Sequence, residues 1–233
     1  MKKYNNADLA NEVWNKVYTQ VPIDALQRMD KVAEEILANE IVGDIVECGV
    51  WVGGAIIYLA NLFPERKIWA VDSYEGFQET IDGNYAYTAE VHTKQFGKSL
   101  DGSVWIRHAK TFAQTEESVI EHFKEYDIAV PEHVQSLKGY VNETCKPDTC
   151  PIKQIALLRV DVDAYSATRE VLDYLYDKVS IGGYVVFDDW GVSSADAAVN
   201  EYFANKNIVV DNYLLKPPNG GRCAMLKKTM ELK

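Results

Sequence analysis

Asp161, Asp163, Asp188 and Asp189 carry the strongest chemical signal in the chain. Each pair follows a short apolar run, IALLRV before Asp161 and Asp163, GGYVVF before Asp188 and Asp189. Carboxylates at the ends of two neighbouring strands offer hard oxygen ligands, the donor set that suits Mg²⁺ or another hard divalent cation completed by water and substrate oxygens. Three unneutralised carboxylates at one point repel, so Asp161, Asp188 and Asp189 require a cation or a shared proton. Asp163 stands two residues beyond Asp161, on the same side of an extended chain, and is the candidate general base. Its structural alternative is the N-cap of the following helix, a task that Ser166 or Thr168 could also take.

A second site lies upstream in Glu47-Cys48-Gly49-Val50-Trp51-Val52-Gly53-Gly54. The glycines follow a strand pattern and open a helix pattern, so they permit a tight turn and close backbone approach to a ligand at the helix N-terminus. Asp72, at the end of the next strand, is placed to accept both hydroxyls of a ribose. The spacing departs from the dinucleotide fingerprint, because Trp51 stands where a pyrophosphate loop keeps its second glycine. An acidic residue before the first glycine would also repel a pyrophosphate, whereas it suits a ligand carrying an ammonium and a sulfonium, such as S-adenosylmethionine.

The elements that position these residues follow from periodicity. Residues 155–190 read as strand, helix, strand: Val171, Leu172, Leu175 and Val179 fall at helical spacing between the two apolar runs. Such a crossover joins parallel neighbours and places both acidic pairs at one carboxyl edge, where open α/β sheets bind ligands. Upstream, 23–39 reads as a helix with a stripe at Leu26, Met29, Val32, Ala33 and Ile36. Strands are predicted at 44–48, 67–71 and 134–137, and helices at 55–62, 118–126 (capped by Thr115) and 195–205. Strands at 208–214 and 222–227, joined through Pro217 to Gly221, end the sheet in an antiparallel hairpin. The fold class is therefore α/β, Rossmann-like, with a seven-stranded mostly parallel sheet. Residues 1–22 read as an N-terminal arm and 78–113, rich in aromatic and polar residues, as a lid or substrate insertion over the sheet edge.

The 233 residues, 47% apolar and 25% charged, suit one domain with a full core. A net charge of −11 and a pI near 4.9 disfavour nucleic acid and anionic membrane surfaces as partners. No run of about 20 apolar residues occurs, and the opening MKKYNNADLANEVW lacks the apolar core of a signal peptide. A cytoplasmic chain is expected. Cys145 and Cys150 bracket a loop, and a lone C-x4-C is weak as a zinc site; free thiols are the expectation, with a disulfide as the alternative. An arm outside the core would also offer a contact for homo-oligomers.

The segments LQRMDKVAEEILAN, VECGVWVGGA, VDSYEGF, LKGYVNET, LRVDVDAYSAT and GGYVVFDDW occur in this order. Together they resemble the macrocin O-methyltransferase family of S-adenosylmethionine- and Mg²⁺-dependent sugar O-methyltransferases, over roughly residues 20–230. The resemblance implies a class I methyltransferase fold. It implies that Asp161, Asp188 and Asp189 hold the metal and that Asp163 is the base. It places the cofactor against Glu47, Gly49, Gly53, Asp72 and Ser73, with Gly139 and Tyr140 bordering the adenine. Val52 stands where the family pattern has arginine, and Ser166-Ala167-Thr168 replaces Glu-Ser-Thr.

The implied reaction is direct methyl transfer to a sugar hydroxyl on a glycan, a nucleotide sugar or a glycosylated natural product. His92, His108, Trp105, Tyr85 and Tyr87 of the insertion are within the stretch expected to reach the acceptor, while His122 and His133 read as surface residues. Three other readings share parts of the pattern. A catechol-type phenol O-methyltransferase also uses a metal and vicinal hydroxyls. An NAD-dependent dehydrogenase shares the glycine turn but explains neither the four carboxylates nor the terminal hairpin. An inactive cofactor-binding module would keep the fold without needing the aspartates.

Overall fold

Gly54–Leu62 is apolar on every side and all nine of its residues are buried, so this helix has to lie inside the molecule. It does so between a sheet and three other helices. The computed structural model describes residues 4–78, 112–217 and 222–232. Its strands are β1 (Asp44–Cys48), β2 (Ile68–Asp72), β3 (Val134–Lys138), β4 (Ile155–Val160), β5 (Val179–Phe187), β6 (Leu214–Leu215) and β7 (Ala224–Lys227). They form one sheet in the order β3-β2-β1-β4-β5-β7-β6. β1 to β5 pair in parallel, whereas β7 pairs antiparallel with both β5 and β6. The Rossmann-like, seven-stranded sheet expected from the sequence is present.

The helices are α1 (Asn6–Asn15), α2 (Ile23–Ala38), α3 (Gly54–Leu62), α4 (Glu116–Glu125), the single turn α5 (Val141–Thr144), α6 (Tyr165–Leu175) and α7 (Ser193–Ala204). The predicted stripe of α2 is the buried face: Leu26, Met29, Val32, Ala33 and Ile36. Side chains of α1 to α4 share one apolar cluster with Ile45, Leu157, Tyr184 and Val186. On the opposite face, Val46, Cys48, Leu158, Val160, Val185 and Phe187 pack with α6 and α7. Past an irregularity at Ala156, alternation along β1 and β4 puts Glu47 and Arg159 on the α1 to α4 face, one pleat beyond Ile45 and Leu157.

Three expectations change. Val179 belongs to β5, not to the crossover helix, because α6 ends at Leu175 and a 3-10 turn spans Tyr176–Lys178. Leu175, Tyr176 and Val179 all face the same cluster, so apolar spacing alone cannot separate the helix end from the strand start. Residues 208–214 are not a strand: Val210–Asn212 is a 3-10 turn, and pairing begins only at Leu214. Val209 is 66% exposed at this sheet edge, where no buried face holds a register. The arm is not outside the core either. Asn5 caps α1 by accepting from the Ala7 and Asp8 amides, and Leu9, Ala10 and Val13 are buried in the main cluster. Residues 79–111, nearly all of the expected lid, and the hairpin tip 218–221 lie outside the described residues. Among the described residues no helix is long and apolar enough to cross a membrane.

Candidate active site

The carboxyl ends of β1, β2, β4 and β5 are adjacent, and each delivers an acid to the same edge. Glu47 is paired in register with Arg159 across β1 and β4, and Arg159 with Val186 across β4 and β5. The ladder continues past the strand ends: Asp161 N donates to Cys48 O at 2.9 Å, and Asp188 N to Val160 O at 3.0 Å. A cavity of about 510 Å³ opens over this edge, within the range of small-molecule sites. Its wall includes Glu47, Asp72, Tyr140, Asp163, Asp189 and, from the arm, Tyr18.

The glycine turn crosses the edge at very close range. Gly49 adopts φ +85, and a Cβ there would meet the Asp161 carbonyl oxygen at 1.7 Å. Only glycine lets β1 turn against the end of β4. At Gly53, φ +97, a Cβ would lie 2.8 Å from the Phe123 ring, so this glycine admits α4. The turn is held from outside as well: Gly54 N donates to Tyr18 O at 2.8 Å, and His122 Nδ1 lies 3.0 Å from Val52 O with its ring stacked on Tyr18. His122 and His133 are thus half-buried contacts, not free surface groups, His133 lying 3.2 Å from Phe63 O.

Asp72 Oδ2 accepts the amides of Val50 and Trp51 at 2.6 and 3.1 Å, while Oδ1 accepts that of Tyr74 at 2.7 Å. The carboxylate therefore braces the glycine turn. It still lines the cavity, with one acceptor site on Oδ1 to spare. Ser73 Oγ donates to Gly76 O and accepts from Glu75 N, and the Tyr140 amide donates to Glu143. Gly139 N continues the β2 ladder onto Asp72 O at 2.9 Å. The two turns after β2 and β3 flank one side of the cavity.

Arg159 is the residue that sequence reasoning missed. Its side chain is fully buried and contacts three acids from three strands: Glu47, Asp161 Oδ2 at 2.8 Å and Asp188 Oδ1 at 2.5 Å. Burial alone would favour a neutral guanidine, but the charges of Asp188, Asp161 and Glu47 override it and keep the group protonated. Glu47 is pushed up to about 7 by burial, opposed by Arg159. Its Oε2 is buried without a partner, as is Arg159 Nε. The available signal was one of alternation. Arg159 sits two residues before Asp161 in an otherwise apolar strand, and a buried arginine requires acidic neighbours.

Asp161, Asp188 and Asp189 each present a carboxylate oxygen within 4.8 Å of the others, as the sequence predicted. Asp188 and Asp189 are buried, and Asp161 is partly exposed. Burial first, and the charge of Asp188 second, hold the Asp161 carboxyl well above the usual range; burial and the charge of Asp163 do the same to Asp189. This hard, crowded oxygen set fits a divalent cation. The orphaned acceptor of Glu47, a residue of the cavity wall between the turn and the aspartates, fits an ammonium donor.

Asp163 lies beside the cluster at φ +54. It does not cap α6, since the N-cap is Ala164, and neither Ser166 nor Thr168 supplies a capping bond. Its amide donates to Asp189 Oδ2 at 2.9 Å and its carbonyl accepts from Ser194 Oγ at 2.9 Å, fixing the backbone while leaving the carboxylate at the cavity. Burial and the neighbouring Asp161 charge raise its carboxyl to about 6, against the pull of Asp189 and Arg222. Cys48, Cys145, Cys150 and Cys223 are buried free thiols.

Residues 4–213 match the family described as Macrocin-O-methyltransferase (TylF). The chain is 32% identical over 197 residues to demethyldecarbamoylnovobiocin O-methyltransferase of Streptomyces niveus, covering 82% of this chain and 70% of that one. It is 28% identical over 190 residues to mycinamicin III 3''-O-methyltransferase of Micromonospora griseorubida, covering 79% and 70%. Among solved structures it superposes on the O-methyltransferase NovP with TM-score 0.76 and 32% identity, over 91% of this chain and 82% of that one. The calicheamicin methyltransferase CalS11 shares the fold at TM-score 0.62 and 19% identity, over 95% and 91%. Glycine turn, acid-bearing strand ends and terminal hairpin thus occur here in the setting of S-adenosylmethionine-dependent O-methyl transfer, and the chain belongs to the macrocin O-methyltransferase family.

Proposed function

We propose that this enzyme transfers a methyl group to a hydroxyl of a sugar, carried on a natural product, a nucleotide or a glycan, with the help of a hard divalent cation such as Mg²⁺. One observation carries the reading: Asp161, Asp188 and Asp189 converge within 4.8 Å beside Asp163, in the wall of the same cavity that the glycine turn lines. The sugar positions named for its relatives support the acceptor class.

Asp161, Asp188 and Asp189 would hold the cation, and Glu47, Gly49, Gly53, Asp72, Ser73, Gly139 and Tyr140 would hold S-adenosylmethionine. When bound, the cofactor supplies the methyl group and the cation supplies Lewis acidity to the acceptor oxygens. The other tasks fall to side chains. Asp163, raised towards neutrality and anchored through its own amide and carbonyl, takes the proton of the acceptor hydroxyl. Asp72 keeps the turn rigid, so the cofactor meets a preformed wall. Tyr18, at the end of the arm, closes the cavity on the side of the turn. Acceptor choice is assigned to the arm and to 78–113, read as a lid within a single domain of 233 residues.

The test is calorimetric titration of the protein with S-adenosylhomocysteine, with and without Mg²⁺, followed by methyl-transfer assays on deoxysugar glycosides. Binding of the product together with chelator-sensitive, Mg²⁺-restored turnover is expected. No binding would sink the cofactor site, and full turnover in excess chelator would sink the metal.

A further inference from the structure

Each of the three clustered aspartates has one oxygen committed to a protein N–H. Asp161 Oδ2 accepts from Arg159 Nη1 at 2.8 Å, Asp188 Oδ1 accepts from Arg159 Nη2 at 2.5 Å and from Cys223 Sγ at 3.6 Å, and Asp189 Oδ2 accepts the Asp163 amide at 2.9 Å. Among the described residues, the second oxygen of each accepts no protein N–H. Two of the three commitments are made by one guanidinium, whose Nη1 donates to Glu47 as well as to Asp161 and which is fully buried between strands. A planar fork clamped at three points cannot swing aside to release a carboxylate edge.

We propose that Arg159 is a positioning residue that limits Asp161 and Asp188 to one available oxygen apiece and thereby makes the cluster select a small six-coordinate cation over calcium. The proposal rests on the reading of Asp161, Asp188 and Asp189 as metal ligands. The selectivity follows from ligand counting. Mg²⁺ and Mn²⁺ are satisfied by a few single carboxylate oxygens plus waters and substrate oxygens. Ca²⁺ takes six to eight oxygens and gains most from carboxylates that bind through both. With Arg159 in place the guanidinium charge lies against the committed oxygens of Asp161 and Asp188 and repels a dication there, which disfavours such two-oxygen binding, and the Asp163 amide opposes it at Asp189. Glu47 offsets part of the Arg159 charge, so the guanidinium orients the cluster without fully cancelling its attraction for a dication. Outer partners of this kind are worth about 10- to 100-fold in metal affinity.

The experiment measures Mn²⁺ binding by the paramagnetic resonance of the free ion, with Mg²⁺ and Ca²⁺ as competitors, on the whole chain and on Arg159→Lys, Glu47→Gln and Asp161→Asn. Circular dichroism and thermal unfolding check that each variant is folded, and S-adenosylhomocysteine binding adds a second check for Arg159→Lys and Asp161→Asn. The wild type is expected to prefer Mg²⁺ over Ca²⁺ by at least tenfold. Arg159→Lys keeps the charge but loses the fork, and its preference is expected to fall at least fivefold; Glu47→Gln, which loosens the anchor, shifts it in the same direction by less. A role confined to holding the strands together would lower stability and leave the ratio unchanged. Equal or tighter Ca²⁺ binding by the wild type, or a wild-type ratio in a folded Arg159→Lys, overturns the proposal. Where Arg159→Lys does not fold, a wild-type ratio in a folded Glu47→Gln overturns the proposal instead. Mn²⁺ binding that survives Asp161→Asn overturns the ligand assignment and the proposal with it. Mn²⁺ binding lost in Asp161→Asn, beside equal Mg²⁺ and Ca²⁺ affinities in the wild type, overturns the proposal alone.

Discussion

The carboxyl edge of the sheet has two halves that treat their acids differently. On the β1 and β2 side, Asp72 receives three backbone amides and Glu47 receives a guanidinium. On the β4 and β5 side, Asp161, Asp163, Asp188 and Asp189 share that same guanidinium and one backbone amide. The first half is the more nearly balanced, so its acids serve as struts for the glycine turn and for Arg159 and, among the described residues, keep only the Glu47 Oε2 acceptor and one site on Asp72 unpartnered. The second half retains excess negative charge in a partly buried setting, and the raised carboxyls of Asp161 and Asp189 register the cost. An acid saturated by the fold is architecture; an acid left in surplus awaits an external cation.

The largest effect should come from the surplus half. Asp161→Asn removes a ligand charge, and turnover is expected to fall by on the order of 1000-fold or more, the loss of several kcal/mol of transition-state stabilisation. Thermal unfolding should change little, because relief of repulsion offsets the weaker contact to Arg159. A large loss of stability with turnover retained would mean that this half too is architectural.

Asp163→Asn comes next. Turnover should drop by about 100- to 10,000-fold, as for loss of a general base, while Mn²⁺ and S-adenosylhomocysteine bind as before. Steady-state kinetics beside direct binding separates the two, and lost binding would assign Asp163 to positioning.

On the balanced half, Asp72→Ala should act on structure and cofactor together. Three amides lose their acceptor, which costs about 1–3 kcal/mol, read as a lower midpoint in urea. S-adenosylhomocysteine affinity should fall by about tenfold, near 1.4 kcal/mol. Weaker binding with unchanged stability would show that Asp72 serves the ligand alone.

The smallest effect is expected well away from the edge. Arg169 on α6 bridges Asp173 and Glu201 at the surface, with both acids well exposed. Arg169→Ala should cost less than about 1 kcal/mol in a denaturant titration and leave turnover unchanged. A larger cost would place the α6 and α7 packing among the supports of the edge.

Much of this was legible in the linear pattern. The strand ends that carry Asp161, Asp188, Asp189 and Asp72 were correctly located, since a buried parallel strand reads as an apolar run and the acid that ends it stands out. The seven-stranded, mostly parallel sheet with its antiparallel end followed from alternating elements and a terminal hairpin, whereas the order of the strands came only with the structure. Less legible was anything set by contact across the sheet. Asp163 looked equally suited to capping a helix until the backbone placed Ala164 at the cap. Arg159 looked like one polar residue within an apolar strand, and Val179 like the end of a helical stripe.

By itself, then, the sequence determined which strands end in which acids, because periodicity and chain connectivity are local properties. The tertiary structure decided which acids are already partnered. That depends on parallel pairing that brings Glu47 opposite Arg159 and on a turn close enough for Gly49 to touch the Asp161 carbonyl. Charge balance at a site is summed over residues far apart in the chain, and only the folded sheet performs that sum.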